Sequence, residues 1–279
     1  MNVGESLTML QKSFVKEFIR TAEWGANQGW HERNGGNLSY RLTPEEAAAV
    51  KALNSTPKSD WLPIGTEVPG LAGELFLVTG TGRHLRHVAL DPEENICVAE
   101  LDGVGERYRI LWGLRSGGRP TSEFGPHLMN HEVCVARTAG RQRVIYHAHP
   151  VNLIAMTFVL PLTDRDFTRA LWEVMTECPV IFPEGVGVVP WMVPGGRAIA
   201  IETSKLMKSY NIAVWAHHGL FVSAENFGEA FGLMETVEKA AEIWMKVQSS
   251  GLPKRSCIDT PQLRELAKDF HLTLPERLL

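Results

Sequence analysis

The chain has 279 residues, 44% of them hydrophobic and 22% charged, with 25 Gly and 16 Pro, a composition that excludes disordered and collagen-like chains. Its formal net charge of −4 removes the basic field that recruits nucleic acid or anionic lipid, so neither a nucleic-acid nor a membrane partner is expected. Cys97, Cys134, Cys178 and Cys257 lie far apart, with no C-x-x-C pair and no secretory signal, which reads as reduced thiols in a cytoplasmic protein.

Leu7, Leu10, Phe14, Phe18 and Ala22 recur at helical spacing, and the glycines at 25 and 29 close the segment, so the first helix is predicted over 6–24. The turn Asn34-Gly35-Gly36-Asn37 leads into a strand marked by Leu38, Tyr40 and Leu42. A short helix follows at 45–53, then a proline-containing loop; residues 43–70 read as a loop-rich insertion. Strands are predicted at 75–79, 96–101 and 107–112, the last two joined by Asp102-Gly103-Val104-Gly105 and therefore antiparallel. Beyond Pro120 strand and helix alternate, with helices at 122–137, 151–160 and 167–177 and strands at 144–149, 180–182 and 186–192. The chain closes with a helix at 197–210, a strand at 212–216, and helices at 224–248 and 262–271. With no repeat, low-complexity run or composition break, one α/β domain spanning 1–279 with a mixed sheet is expected.

Ten histidines are the unusual feature. His147-Ala148-His149 ends an apolar run, so its two imidazoles leave one face of a strand. A third histidine arrives at the end of another apolar strand, in His217-His218-Gly219. Three neutral imidazoles on zinc leave a fourth position open, the catalytic arrangement. Adjacent strand residues face opposite ways, so His217 and His218 compete for the third place, and His218, next to the glycine turn, is preferred. His127 and His131 have i, i+4 spacing but no Glu after the first His, and read as helix-surface or core-edge residues. Thr121 or Ser122 caps the helix that follows, with Glu123 in its first turn. The exposed amides there, and those of Asn34–Asn37 and Thr79-Gly80-Thr81-Gly82, offer uncharged donors to a phosphate. A barrel-type zinc hydrolase is disfavoured, because too little chain follows His149 to complete such a barrel.

Asn34-Gly35-Gly36-Asn37, Thr121-Ser122-Glu123, and His147-x-His149 with a distant His218-Gly219 together resemble the class II aldolase and adducin superfamily. The likeness extends through Gly29-Trp30, Ile110–Leu114, Leu171-Trp172-Glu173, Thr176-Glu177-Cys178 and Val189–Gly195. The resemblance implies a three-layer α/β/α fold around a central mixed, largely antiparallel sheet, a cytoplasmic homotetramer with active sites near subunit contacts, and a ketose 1-phosphate as substrate. It implies His147, His149 and His218 as ligands of one Zn²⁺ per subunit and Glu123 as catalytic acid/base. Asn34, Gly36, Asn37, Thr81, Gly82, Thr121 and Ser122 would bind the substrate phosphate, and Glu177 would reach the site of a neighbouring subunit. The superfamily also holds non-enzymatic adducin heads, and the three histidines with Glu123 argue against that alternative.

Overall fold

Short strands with apolar residues on both faces can be stable only between two helical layers. A computed structural model describes residues 8–279. Its elements in chain order begin with α1 (Ser13–Asn27), β1 (Asn37–Arg41), α2 (Pro44–Leu53), β2 (Leu62–Pro63), β3 (Leu75–Thr79) and α3 (Pro92–Asn95). Next come β4 (Ile96–Leu101), β5 (Arg107–Gly113), α4 (Phe124–Thr138), β6 (Val144–Ala148), α5 (Val151–Met156), α6 (Asp164–Trp172) and α7 (Glu177–Ile181). The chain ends with β7 (Gly187–Val189), α8 (Arg197–Leu206), β8 (Ile212–Trp215), β9 (Gly219–Ala224), α9 (Phe227–Ser249) and α10 (Thr260–Asp269). Among the described residues the strands form one sheet in the order β2-β5-β4-β3-β1-β6-β9-β8-β7. Every pairing is antiparallel except β7 with β8, so the sheet is mixed and largely antiparallel, as expected.

The two faces of the sheet differ. On one, Leu38, Tyr40, Leu77, Val98, Val144, Tyr146, Val214 and Val222 share a continuous core with Phe18 of α1, Met156 of α5, Leu171 of α6 and Val237 of α9. On the other, α4 and α8 cover two separate clusters, one around Phe76, Val78 and Phe124 and one around Ile145, Trp215 and Phe221. What divides them is the central strand β1. Its second-face residues Asn37, Ser39 and Arg41 are polar yet buried, and the helix above places His127 and His131, also buried, over them. Burying such groups costs free energy unless each finds a partner, so this seam is where polar function is concentrated.

Several predicted elements shift. Residues 6 and 7 of the predicted first helix lie outside the described residues, and that helix runs on to Asn27 with Gly25 inside it. Val180–Phe182 is not a strand: Glu177–Ile181 is a helical turn that buries Pro179 and places Cys178 in the first-face core. A three-residue apolar run carries no periodicity with which to tell the two apart. Gly219 was expected to turn the chain; instead His217 does so, at φ 60°, and Gly219 starts strand β9, a strand absent from the sequence reading. Helix α5 stops at Met156, where the Thr157 hydroxyl donates to the Ile154 carbonyl. Helix α4 starts at Phe124, with Glu123 as its N-cap rather than in its first turn. The cysteines are free, Cys257 exposed and the other three buried. No helix among the described residues is long and apolar enough to cross a membrane.

Candidate active site

Strand β6 delivers His147 one residue before its end and His149 one residue beyond it, and the β8–β9 connection brings His218 alongside. The ligating atoms of these three side chains all lie within 4.8 Å of one another, and among the described residues they are the sole such group of three or more His, Cys, Asp or Glu. His217 leaves in the other direction: its ring shares the Thr157 hydroxyl at 3.1 Å and packs on Phe158. The close approach of strands makes Gly219 obligatory, since a Cβ there would stand 2.3 Å from the Ala148 carbonyl oxygen and 3.0 Å from His149 Cδ2.

The hydrogen bonds set which nitrogens are bare. His147 donates from Nδ1 to the Leu220 carbonyl at 3.0 Å, leaving the Nε2 lone pair free 3.4 Å from His218 Nε2. His149 donates from Nδ1 to Glu32 Oε1 at 2.7 Å, and its buried Nε2 has no protein partner. Burial holds His147 well below the ordinary imidazole range and His218 down to about 4, so both are neutral at pH 7. Neutral rings with converging bare nitrogens are what a divalent metal requires. Tetrahedral zinc with nitrogens at about 2.0–2.1 Å sets nitrogen–nitrogen edges near 3.3 Å, close to the spacing of His147 and His218. The donor set thus fits a divalent metal.

Glu123 lies beside this cluster, its Oε2 4.0 Å from His147 Nε2. It is 7% exposed. Burial raises its carboxyl above the ordinary carboxylate range, opposed by hydrogen bonds from Asn37 and the Gly195 backbone. A carboxyl so placed exchanges a proton more readily near neutral pH.

Asn34, Gly36, Asn37, Thr81, Gly82, Thr121 and Ser122 all line one cleft with Glu123 and the three histidines, a cleft of 230 Å³ that also includes Gly35, Gly80, Pro194 and Gly195. Larger hollows of 790 and 690 Å³ open around Arg137 and Cys257, but neither gathers converging ligands, so chemistry rather than size marks the site. Gly36 turns at φ +72°, where a Cβ would meet His31 Nδ1 at 2.5 Å and the His147 carbonyl oxygen at 2.6 Å. Two details depart from expectation. Gly80 and Thr81 donate their backbone amides to the Asn95 and Arg119 carbonyls, leaving the Thr81 hydroxyl and Gly82 for a ligand. Asn37 uses both ends of its side-chain amide, on Glu123 and His127. Glu177 is exposed at the start of α7 and does not line the cleft of its own chain.

Sequence reasoning missed Glu32, the Pro194-Gly195 loop and the seam residues Ser39, His127 and His131. Glu32 lies two residues ahead of the Asn34–Asn37 turn with no pattern linking it to His149. The i, i+4 histidines were visible but were assigned to a helix surface or core edge; both are fully buried beneath Glu123.

The fold belongs to a known class. The class II aldolase and adducin N-terminal domain pattern matches residues 16–245, and the chain belongs to that family. It is 44% identical over 271 residues to a rhamnulose-1-phosphate aldolase of Pectobacterium atrosepticum, covering 97% of this chain and 98% of that one. A rhamnulose-1-phosphate aldolase of Mannheimia succiniciproducens is 43% identical, covering 93% and 95%. Among solved structures, a sugar-phosphate aldolase from Thermotoga maritima aligns with a TM-score of 0.73 at 29% identity, covering 86% of this chain and 97% of that one.

Proposed function

We propose that this chain is a zinc-dependent lyase that reversibly cleaves L-rhamnulose 1-phosphate to dihydroxyacetone phosphate and L-lactaldehyde, in L-rhamnose catabolism. The observation that carries the reading is the convergence of three bare imidazole nitrogens and one buried carboxyl in a glycine-walled cleft. The relatives named above support the choice of sugar.

His147, His149 and His218 hold the metal. When bound it supplies Lewis-acid polarisation of the ketose carbonyl and stabilises the negative charge left as the C3–C4 bond breaks, a contribution of several kcal/mol. Asn34, Gly36, Thr81, Gly82, Thr121 and Ser122 bind the phosphate through uncharged donors, beside Asn37, and so fix C3 over Glu123. In cleavage the C4 hydroxyl gives up its proton, its oxygen becomes the aldehyde carbonyl, and the C3–C4 electron pair stays on C3. Glu123 delivers a proton to C3; in condensation its carboxylate removes that proton. Glu177 of a neighbouring copy takes the C4 hydroxyl proton. Its exposed position outside the cleft of its own chain, and the exposed Trp191 and Val193 next to the Pro194-Gly195 loop, support a homotetramer with sites near subunit contacts. Free thiols support a cytoplasmic location.

The test supplies L-rhamnulose 1-phosphate and L-fuculose 1-phosphate separately to the zinc-loaded protein and follows dihydroxyacetone phosphate. Faster release from the rhamnulose sugar is expected. Preference for fuculose 1-phosphate would move the chain to a related aldolase, and no release from either would remove the aldolase reading.

A further inference from the structure

The reaction as derived makes no use of the buried seam behind Glu123. Asn37 Nδ2 donates to Glu123 Oε2 at 2.7 Å, and Asn37 Oδ1 meets His127 Nε2. His127 Nδ1 lies 2.7 Å from Ser39 Oγ, which lies 2.8 Å from His131 Nε2. Ser39, His127 and His131 have no exposed surface. Five polar side chains from the central strand β1, the helix cap and helix α4 thus form one unbranched column that ends in the cleft at Glu123.

Proton counting fixes its direction. An ionised Glu123 can only accept, so Asn37 presents its NH2 there and its Oδ1 needs a donor. Burial keeps both rings neutral, so each carries one N–H. His127 must then hold its proton on Nε2 and leave Nδ1 bare for the Ser39 hydroxyl. With its single proton so committed, the Ser39 oxygen accepts from His131 Nε2–H. That leaves His131 Nδ1 bare, and it is indeed the one atom of the column without a partner. The reverse order would put an N–H at that position with nothing to accept it, and a buried orphan donor is rarer and costlier than a buried lone pair. The far end therefore selects one direction, every bond donating toward the carboxylate.

We propose that Ser39, His127 and His131 are positioning residues: they lock the Asn37 amide with its NH2 on Glu123 and so hold that carboxylate in one orientation toward the reacting carbon. The proposal rests on the reading of Glu123 as proton carrier. It also explains why β1 is polar on a buried face.

Two measurements test it. In the metal-free wild-type protein, ¹⁵N ring shifts should show His127 and His131 both as neutral Nε2–H tautomers; an Nδ1–H tautomer at either ring overturns the direction of the column whatever the enzyme's activity. In the zinc-loaded protein, His127→Leu should lower kcat roughly 10- to 100-fold, the scale of a small misplacement of a reacting group, with KM and zinc content unchanged. His127→Gln, which keeps a donor for Asn37, should restore most of the loss. Ser39→Ala is the smaller perturbation should His127→Leu not fold, and it should also lower kcat. Wild-type kcat in His127→Leu or Ser39→Ala, or no rescue by His127→Gln, overturns the proposal. Glu123→Gln in the same assay separates the two levels. If it retains wild-type turnover, or if the wild type cleaves neither sugar, the reading of Glu123 fails, and the tautomers alone decide the column.

Discussion

Replacing Gly219 by alanine places a methyl group between the ends of two strands that carry all three ligating histidines. The new Cβ would stand 2.3 Å from the Ala148 carbonyl oxygen, a backbone atom held in register by the pairing of Ala148 with Leu220, and 3.0 Å from His149 Cδ2. Backbone cannot rotate away as a side-chain tip can, so β6 and β9 must part or His149 must tip. Overpacking of this kind costs about 1–3 kcal/mol, and at about 2–4 °C per kcal/mol for a chain of this size the metal-free protein should melt a few degrees to about 10 °C lower. Gly232→Ala is the internal contrast. That glycine lies inside α9, and nothing stands within 4 Å of its added Cβ. Alanine there should stabilise by about 0.5–1 kcal/mol through helix propensity. Thermal unfolding of the metal-free variants by circular dichroism separates the signs, and a zinc titration should show weaker binding for Gly219→Ala alone. A Gly219→Ala protein that melts at or above the wild-type temperature and binds zinc normally would refute the packing argument at this junction.

Three further outcomes are expected. Glu32→Ala, which frees the His149 ring, should weaken zinc binding about 10-fold, the lower end for an outer carboxylate because Glu32 is itself exposed; Glu32→Gln keeps an acceptor and should stay near wild type in a competition titration. His218→Ala should lose zinc by elemental analysis while His217→Ala retains it, because only the former ring faces His147 and His149. Acid should destabilise the metal-free fold in a defined window. Burial holds His31 neutral down to about 4 and His127 down to about 3, while both take a proton below their ordinary 6.5 in the unfolded chain. The unfolded state binds the extra protons, so stability is complete above 6.5 and falls as pH drops toward 4, by about 1.4 kcal/mol per pH unit for each ring. Urea midpoints unchanged between pH 7 and 5 would contradict this.

Much of the architecture was legible because periodicity is local. Strand 75–79 and strand 96–101 coincide with β3 and β4, and the Asp102–Gly105 turn makes β5 the antiparallel neighbour of β4. What was not legible depends on partners distant in sequence. Strand β9 reads Gly-Leu-Phe-Val-Ser-Ala, and its glycine signals a turn unless one knows that the Ala148 carbonyl lies against it. Val180 and Ile181 are β-branched and apolar, yet they lie in the helical turn that buries Cys178 and Pro179. At the site, the ligand histidines were found because a strand end projects alternate residues to one face. Glu32 and Ser39 were not, since each acts on a ring more than 80 residues away. The buried polar face of β1 was hidden for the same reason: Leu38 and Tyr40 announce the strand, but alternation alone assigns Asn37, Ser39 and Arg41 to solvent.

The most direct measurement is release of dihydroxyacetone phosphate from L-rhamnulose 1-phosphate by the same protein sample before chelation, after chelation, and after return of one equivalent of zinc per chain. The account predicts turnover, its loss, and its recovery, with Glu123→Gln inactive at all three stages while still binding zinc. Turnover that survives complete metal removal, or a zinc-loaded wild type that releases none, would contradict it.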